Sequence, residues 1–318
     1  KKSINVVAVK LSDEITQELG YEYCEKFGIS TLVKDKTING KVFDDSTSQT
    51  LALGGITEGV YNYEMCAAYA SIANGGVYNK PTLYSKVVDH DGNVLLDGTG
   101  ESHTVIKDST AYLLTSAMED VVNSGTGTAC QLPNMPVAGK TGTTTSNKDL
   151  WFCGFTPYYT AATWFGFDIT ENPVFSGNQA ANIWAAIMRD VHKSLPNKRF
   201  EKPSNVVGVK ICLDSGCVAT ASCTRTTTEY FVKGTVPDAC EGHKKLKICK
   251  DTGKIANEYC TNTEEKTFLV KPEKENKKLW TTSDGGKYDI PTETCTEHKK
   301  PEVEQIEVIN VVGKKLAD

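Results

Sequence analysis

Apolar residues recur at helical spacing over residues 6–19; Gly20 interrupts the pattern, and residues 21–27 resume it before Gly28. A second apolar helix is predicted over residues 60–73, stopped by Asn74-Gly75-Gly76. Residues 86–96 place two β-branched or apolar runs around Asp91-Gly92, which predicts a hairpin. Asp108 stands where it would cap a helix running to about Val122 and ending at the Gly125/Gly127 turn. Beyond that point the period shortens. Residues 137–143, 150–155 and 160–167 read as strands, and their short links make them antiparallel neighbours. Residues 180–192 return to helical spacing, with Ile183, Trp184, Ile187, Met188 and Val191 on one face. Helices, then a small antiparallel sheet, then a covering helix predict an α+β layered domain over residues 1–203, with a boundary at Lys202-Pro203-Ser204.

The pattern after the boundary repeats. "VKICLDSGCVATASC" (residues 209–223) and "LKICKDTGKIANEYC" (residues 246–260) match at an offset of 37, which aligns Cys212 and Cys223 with Cys249 and Cys260. Each copy reads as a strand, an Asp-x-Gly turn and a second arm. Such a unit is too small to bury a core, so a staple is expected. A weak third copy ends at Cys295, and residues 271–279 read as a solvated linker. The expected division is a repeat extension over residues 204–270, then a charged linker and short β-rich tail over residues 271–318.

Cysteine usage sharpens this picture. Four cysteines lie in residues 1–204 and seven in the remainder, a density that suggests an oxidising, extracellular setting. The predicted staples are the disulfides Cys212–Cys223 and Cys249–Cys260, leaving Cys217, Cys240 and Cys295. Cys240-x-x-His243 and Cys295-x-x-His298 have a spacing that together would make a Cys2His2 zinc set. The disulfides are preferred for the compartment, so no metal and no cofactor is assigned.

A chain of 318 residues suffices for one large and one smaller domain. Its net charge of −5 speaks against a nucleic-acid partner. No apolar run reaches the roughly 18–20 residues of a membrane span. The sequence opens on Lys1-Lys2 without a methionine and reads as a piece of a longer protein, so any membrane anchor is expected upstream.

Candidate chemistry centres on "MPVAGKTGTTTSNKDLWFCGFTP", residues 135–157. A phosphate loop would need glycine five positions before Gly139-Lys140-Thr141, but Asn134 stands there, beside Pro133 and Pro136, and no helix follows. On a strand, Lys140 is a point cation beside the Thr141 hydroxyl. That pairing suits the carboxylate at the end of an extended peptide that hydrogen-bonds along the strand edge. Gly142 lets a ligand approach the backbone. Ser3-Ile4-Asn5 is a Ser-x-Asn at a helix start, where both residues also cap well. Ser176-Gly177-Asn178 is a second Ser-x-Asn, but it follows the Lys-Thr-Gly.

Ser-x-Asn followed by Lys-Thr-Gly is the order found in penicillin-recognising acyltransferases. With "SINVVAVKL", "LALGGITEGVYNYEMCAAYASIANGGVYNKPTLYSKVVDHDGNVL", "NSGTGTAC" and "GKTGTTTSNKDLWFCGFTP", about residues 1–195 resemble the transpeptidase domain of class A penicillin-binding proteins. The cysteine-rich tail more loosely resembles extensions in class A proteins of Gram-positive, clostridium-like bacteria. The resemblance implies a penicillin-binding/serine β-lactamase-like transpeptidase fold, incomplete at the N-terminus. It also implies a peptidoglycan D,D-transpeptidase outside the cytoplasmic membrane, acting on stem peptides ending in D-Ala-D-Ala and acylated by β-lactams. Ser3 would then relay a proton to or from the leaving nitrogen, and Asn5 would hydrogen-bond the substrate amide and orient a catalytic lysine. Lys140 and Thr141 would hold the terminal carboxylate, Gly142 would leave room, and the Thr143 N–H would serve an oxyanion hole. No serine of the chain has a lysine three positions on, so the Ser-x-x-Lys nucleophile is expected in an upstream segment that partners this one. The alternatives are a D,D-carboxypeptidase or β-lactamase-type hydrolase, which keeps the fold but gives the acyl-enzyme to water, and a non-catalytic penicillin-binding sensor or interaction module with the tail as its binding part.

Overall fold

The structure is a computed structural model that describes residues 1–98, 100–167, 177–270 and 290–300. The expected linker at residues 271–279 and Ser176 lie outside the described residues. The first compact unit comprises Lys1–Val207 and Tyr230–Lys233; the second takes Gly208–Glu229 and the described residues from Gly234 onward. The division therefore falls a few residues beyond the expected one and cuts through a pair of strands.

The first helical stretch breaks at Thr16, not Gly20. Helix α1 (Asn5–Ile15) and helix α2 (Gln17–Lys26) meet at Thr16, whose φ is 74° and whose hydroxyl accepts the Leu19 N–H at 3.3 Å. A threonine supplies the cap that satisfies an orphan helical donor, whereas Gly20 offers none and costs only about 1 kcal/mol inside a helix. No residue of either helix is buried, and Val6, Val7, Leu11 and Ile15 are exposed. Strands β1 (Lys36–Ile38) and β2 (Lys41–Phe43) form a short hairpin. Behind it the buried Asp45 carboxylate accepts from the Val33 N–H, the Thr57 N–H and the Thr57 hydroxyl, tying two loops together.

Helix α3 (Asn62–Ala73) ends at Asn74-Gly75-Gly76 as predicted. Gly76 has φ 93°, and a Cβ there would meet the Ile106 carbonyl oxygen at 2.0 Å. Strand β3 (Val77–Asn79) follows. Strands β4 (Lys86–Val88) and β5 (Val94–Asp97) form the predicted hairpin, whose turn is held by Asp89 Oδ1 accepting the Asp91 and Asn93 N–H groups. Strand β6 (Ser102–Thr104) then returns to pair with β3. Helix α4 (Asp108–Ser124) begins one residue earlier than expected, with Lys107 as its cap. The Asp108 carboxylate instead accepts the Ser109 N–H.

Strands β7 (Ala138–Thr143), β8 (Asp149–Phe155) and β9 (Thr160–Gly166) form an antiparallel sheet in that order. Alternation along β8 decides the layers. Leu150 and Phe152 pack with Trp184 and Met188 of helix α5 (Gln179–Val191). Phe155, with Ala138 of β7, packs against Ile72 of α3 and Met118 of α4. The result is a helix–sheet–helix α+β domain. The face of α5 differs from the expected one. Ala180, Ala181, Trp184, Ala185 and Met188 are buried, while Ile183, Ile187 and Val191 are 40–54% exposed. Three alanines let the helix approach the sheet closely, so the single large Trp184 fills the gap and the β-branched stripe turns outward.

Two strand pairs follow: β10 (Val206–Cys212) with β11 (Thr226–Val232), the pair that the division cuts, and β12 (His243–Cys249) with β13 (Thr263–Leu269), which lies in the second unit. The repeat is exact in its turns. Gly216 and Gly253, at φ 71° and 72°, donate to the Cys212 and Cys249 carbonyls, each at 2.8 Å. Neither predicted disulfide forms: all eleven cysteines are free. Cys212 and Cys223 instead meet Cys240 and His243, and Cys249 and Cys260 meet Cys295 and His298. The two Cys-x-x-His pairs thus belong to separate clusters and do not make one Cys2His2 set. Nor does Cys295 close a third copy. Cys240 N donates to Val218 O and Cys295 N to Ile255 O, so residues 294–298 complete the second copy as residues 239–243 complete the first.

Candidate active site

Strand β7 carries Lys140, Thr141 and Gly142 on an edge of the sheet, since β8 is its only strand partner among the described residues. Three glycines shape this edge. A Cβ at Gly139 would meet the Phe152 ring at 2.6 Å, and one at Gly154 would meet Phe152 at 2.6 Å and Ala138 O at 3.1 Å. A Cβ at Gly142 would sit 3.1 Å from Trp151 Cβ, its cross-strand neighbour. Gly142 is thus required by packing within the sheet as well as by any ligand.

The chain start comes to this edge over a sequence separation of 137 residues. Gly125, just past α4, accommodates it: a Cβ there would meet the Lys1 carbonyl oxygen at 2.6 Å. Ser3 then lies within reach of Lys140, whose Nζ donates to Ser3 Oγ at 2.9 Å and to Thr141 O at 2.7 Å. The N-cap of α1 is Ile4, with no side-chain capping bond, so the capping explanation of Ser3-Ile4-Asn5 does not hold. Ser3 itself has φ 52°, uncommon for a residue with a Cβ. Asn5 is the first helical residue and exposed, and no hydrogen bond links it to Lys140 among the described residues. Thr143 closes β7 and is exposed.

Thr126 completes the arrangement, its Oγ1 2.7 Å from Thr141 Oγ1. Sequence reasoning assigned it no role, although it lies in the "NSGTGTAC" stretch. Asn178, of the second Ser-x-Asn, is structural. It caps α5 by accepting the Ala181 N–H and donates to Trp151 O at 3.1 Å.

Lys140 is half-buried, and burial holds its pKa below the ordinary lysine value. No carboxylate of the described residues pairs with it. A desolvated cation that touches the Ser3 hydroxyl and no described carboxylate, on a strand edge, has the chemistry to take an anion with an extended backbone. A cavity of about 550 Å³ lined by Ile72, Tyr112, Thr115, Arg199 and Phe200 contains none of these residues. Groups able to hold a metal lie in the second unit, in the two Cys3His clusters.

Residues 1–189 match the model of the penicillin-binding protein transpeptidase domain. The chain belongs to that family. Residues 202–245 further match the C-terminal domain of penicillin-binding protein 1A. Penicillin-binding protein 1A of Clostridium botulinum is 38% identical over 245 residues, 74% of this chain and 28% of that protein. Penicillin-binding protein 1A/1B of Bacillus subtilis is 31% identical over 261 residues, 74% of this chain and 27% of that protein. The chain thus spans little more than a quarter of the length of these curated relatives. The structure of Haemophilus influenzae penicillin-binding protein 1A shares the fold, with TM-score 0.59 and 21% identity over 74% of this chain and 39% of that one. PonA1 of Mycobacterium tuberculosis, solved in complex with penicillin V, gives TM-score 0.51 and 26% identity, covering 62% of this chain and 56% of that one. Among the described residues no helix is long and apolar enough to cross a membrane.

Proposed function

We propose that this chain supplies the carboxylate-binding half of a serine D,D-transpeptidase site that cross-links peptidoglycan stem peptides and is acylated by β-lactams. The observation that carries the reading is Lys140: half-buried, unpaired with any described carboxylate, and hydrogen-bonded to Ser3 Oγ on an open strand edge. A stem peptide ending in D-Ala-D-Ala would lie along β7 with its carboxylate on Lys140 and the Thr141 hydroxyl. Ser3, already on Lys140, would pass a proton to the leaving D-Ala nitrogen as the acyl-enzyme forms. Asn5 would hold the substrate amide, and the Thr143 N–H would stabilise the oxyanion of the tetrahedral intermediate.

The nucleophile must come from elsewhere, because no serine of this chain has a lysine three positions on and a serine without an adjacent base is weak. We assign it to an upstream segment of the same protein. The outer edge of β9 has no strand partner among the described residues, which suits a further strand from that segment. Such a protein would work at the outer face of the cytoplasmic membrane, held by an anchor outside this chain. The test uses fluorescent penicillin on the complete protein and on the isolated chain, each denatured after incubation. Label on the complete protein and none on the isolated chain is expected, with free D-Ala released as the acyl-enzyme forms and the acyl group recovered in cross-linked product when an acceptor peptide is present. Label that survives denaturation and maps to Ser3 would overturn the nucleophile assignment. Transfer to water alone would make the protein a carboxypeptidase.

A further inference from the structure

Among its described residues the second unit buries few apolar side chains besides its cysteines. The buried cluster of its second repeat consists of Cys249, Cys260 and Cys295 with Ala256 packed against them. A β-unit of this size needs a staple, and the predicted disulfides do not form. In each repeat four donor atoms lie within 4.8 Å of one another: three sulfurs and one imidazole nitrogen.

We propose that Cys212, Cys223, Cys240 and His243 hold one zinc ion, and Cys249, Cys260, Cys295 and His298 a second, as structural Cys3His sites. The geometry fits the ion. Zinc in a tetrahedron, ~2.3 Å from sulfur and ~2.0–2.1 Å from nitrogen, would separate those atoms by about 3.5–3.6 Å. His298 Nδ1 lies 3.5, 3.5 and 3.3 Å from the sulfurs of Cys249, Cys260 and Cys295. His243 Nδ1 lies 3.7 Å from Cys212 Sγ and 3.4 Å from Cys240 Sγ. Four protein donors close the coordination sphere, which marks a structural rather than a catalytic site. Three sulfurs and an imidazole suit zinc over the oxygen-seeking cations.

The groups around the donors point the same way. A metal-bound histidine usually gives its second ring N–H to a carboxylate. His243 Nε2 is 3.1 Å from Asp214 Oδ2, and His298 Nε2 is 3.4 Å from Asp251 Oδ2. Asp214 and Asp251 occupy equivalent positions, each the first residue of its Asp-x-Gly turn. That fixes the tautomer which leaves Nδ1 facing the sulfurs. Thr220 N–H and Ser215 O–H donate to Cys223 and Cys240 sulfurs, as donors to thiolates would. A disulfide reading has no use for the histidine, its carboxylate or the third cysteine. Cys217 supports the count: Lys254 stands at its repeat position, so it is the one cysteine of the unit left outside the ligand sets.

The test measures metal in the 318-residue chain, purified without chelator in the presence of thiol reductant. Elemental analysis is expected to find two zinc ions per chain, and a mercurial titration to release both. Cys240→Ser and Cys295→Ser should each remove one, and Cys217→Ser none. Cobalt substitution should give the visible bands of a tetrahedral thiolate site. Incubation of the zinc-loaded chain with oxidised glutathione should leave the six ligand cysteines unbridged in peptide mapping. Fewer than two zinc ions in the unmutated chain after incubation with zinc salt and removal of excess would overturn the assignment, as would mapping of Cys212–Cys223 and Cys249–Cys260 disulfides in the zinc-loaded chain. The metal content of the unmutated chain decides this even where a variant fails to fold.

Discussion

Lys140→Ala in the complete protein separates an anion-binding lysine from a structural one. In the free site the ammonium makes two contacts, to Ser3 Oγ at 2.9 Å and Thr141 O at 2.7 Å, and neither partner is charged. Burial has lowered its pKa. A base whose pKa falls on folding costs stability at neutral pH, and that cost fades as pH rises through the folded value toward the unfolded one. Removing the charge therefore removes a penalty along with two hydrogen bonds to uncharged acceptors that can turn to water. The net change in stability should stay within about 0.5 kcal/mol, as for an ordinary surface substitution. With a β-lactam or stem peptide bound, the same ammonium meets a carboxylate. Loss of a hydrogen bond to a charged group costs about 1.5–3 kcal/mol, or about ten- to 150-fold in rate if it is realised in the transition state. The assay is the second-order rate of acylation by fluorescent penicillin, followed alongside the melting temperature. An acylation rate within twofold of the unmutated protein would refute the reasoning. So would a rate that falls only in step with a lowered melting temperature, because Lys140 would then be holding the fold rather than the ligand.

Burial of Lys140 also sets a pH dependence: acylation should decline on the alkaline side below the ordinary lysine range near ~10.4, as the ammonium loses its proton. Lys140→Arg, which stays charged, should move that decline upward, and superimposable pH–rate profiles would contradict it. Gly142→Ala should cost about 1–3 kcal/mol by overpacking against Trp151 Cβ at 3.1 Å, seen as a lowered urea midpoint, and should slow acylation as the edge shifts. Trp184→Ala should cost about 3–5 kcal/mol, because the indole is fully buried beside Phe152 and donates to Ala161 O; calorimetry that showed less than 1 kcal/mol would mean the α5–sheet layer is not the core. Asp45→Ala should cost about 2–5 kcal/mol by stranding the Val33 and Thr57 N–H groups, and hydrogen exchange at those two amides should accelerate with it.

What could be read in advance was what local pattern decides. The three strands alternate with a period of two and lie a few residues apart, so antiparallel neighbours are the only economical pairing, and β7, β8 and β9 pair in chain order. The Lys-Thr-Gly could be assigned to a strand because two prolines and the missing glycine ruled out a phosphate loop. The failures share a cause, which is competition that only tertiary contact resolves. Thr16 outcompetes Gly20 as a helix break because its hydroxyl finds the Leu19 N–H. The face of α5 rotates because Ala180, Ala181 and Ala185 permit close approach to the sheet, a matter of volume that a count of apolar positions does not contain. Thr126 escaped notice because its partner, Thr141, is fifteen residues away and reached only through the turn after α4.

The clusters of the second unit show how an insertion hides a site. In the first repeat seventeen positions separate Cys223 from Cys240; in the second, thirty-five separate Cys260 from Cys295. An offset of 37 aligns the first two ligands of each repeat and misaligns the last two, so in sequence the repeat looks like a pair of cysteine hairpins with leftovers. Backbone pairing ignores the insertion. Cys240 donates to Val218 O and Cys295 to Ile255 O, and the third arm of each copy docks in the same way. Strand β12 makes the two sites interdependent. It begins at His243, a ligand of the first zinc, and ends at Cys249, a ligand of the second. Its seven residues pair along their whole length with β13, from His243↔Leu269 to Cys249↔Thr263. Metal at either end fixes one end of that ladder, and the ladder positions the donor at the other. Binding at one site therefore lowers the ordering cost at the other, and a unit that buries few apolar side chains besides its cysteines acquires its cooperativity through a strand.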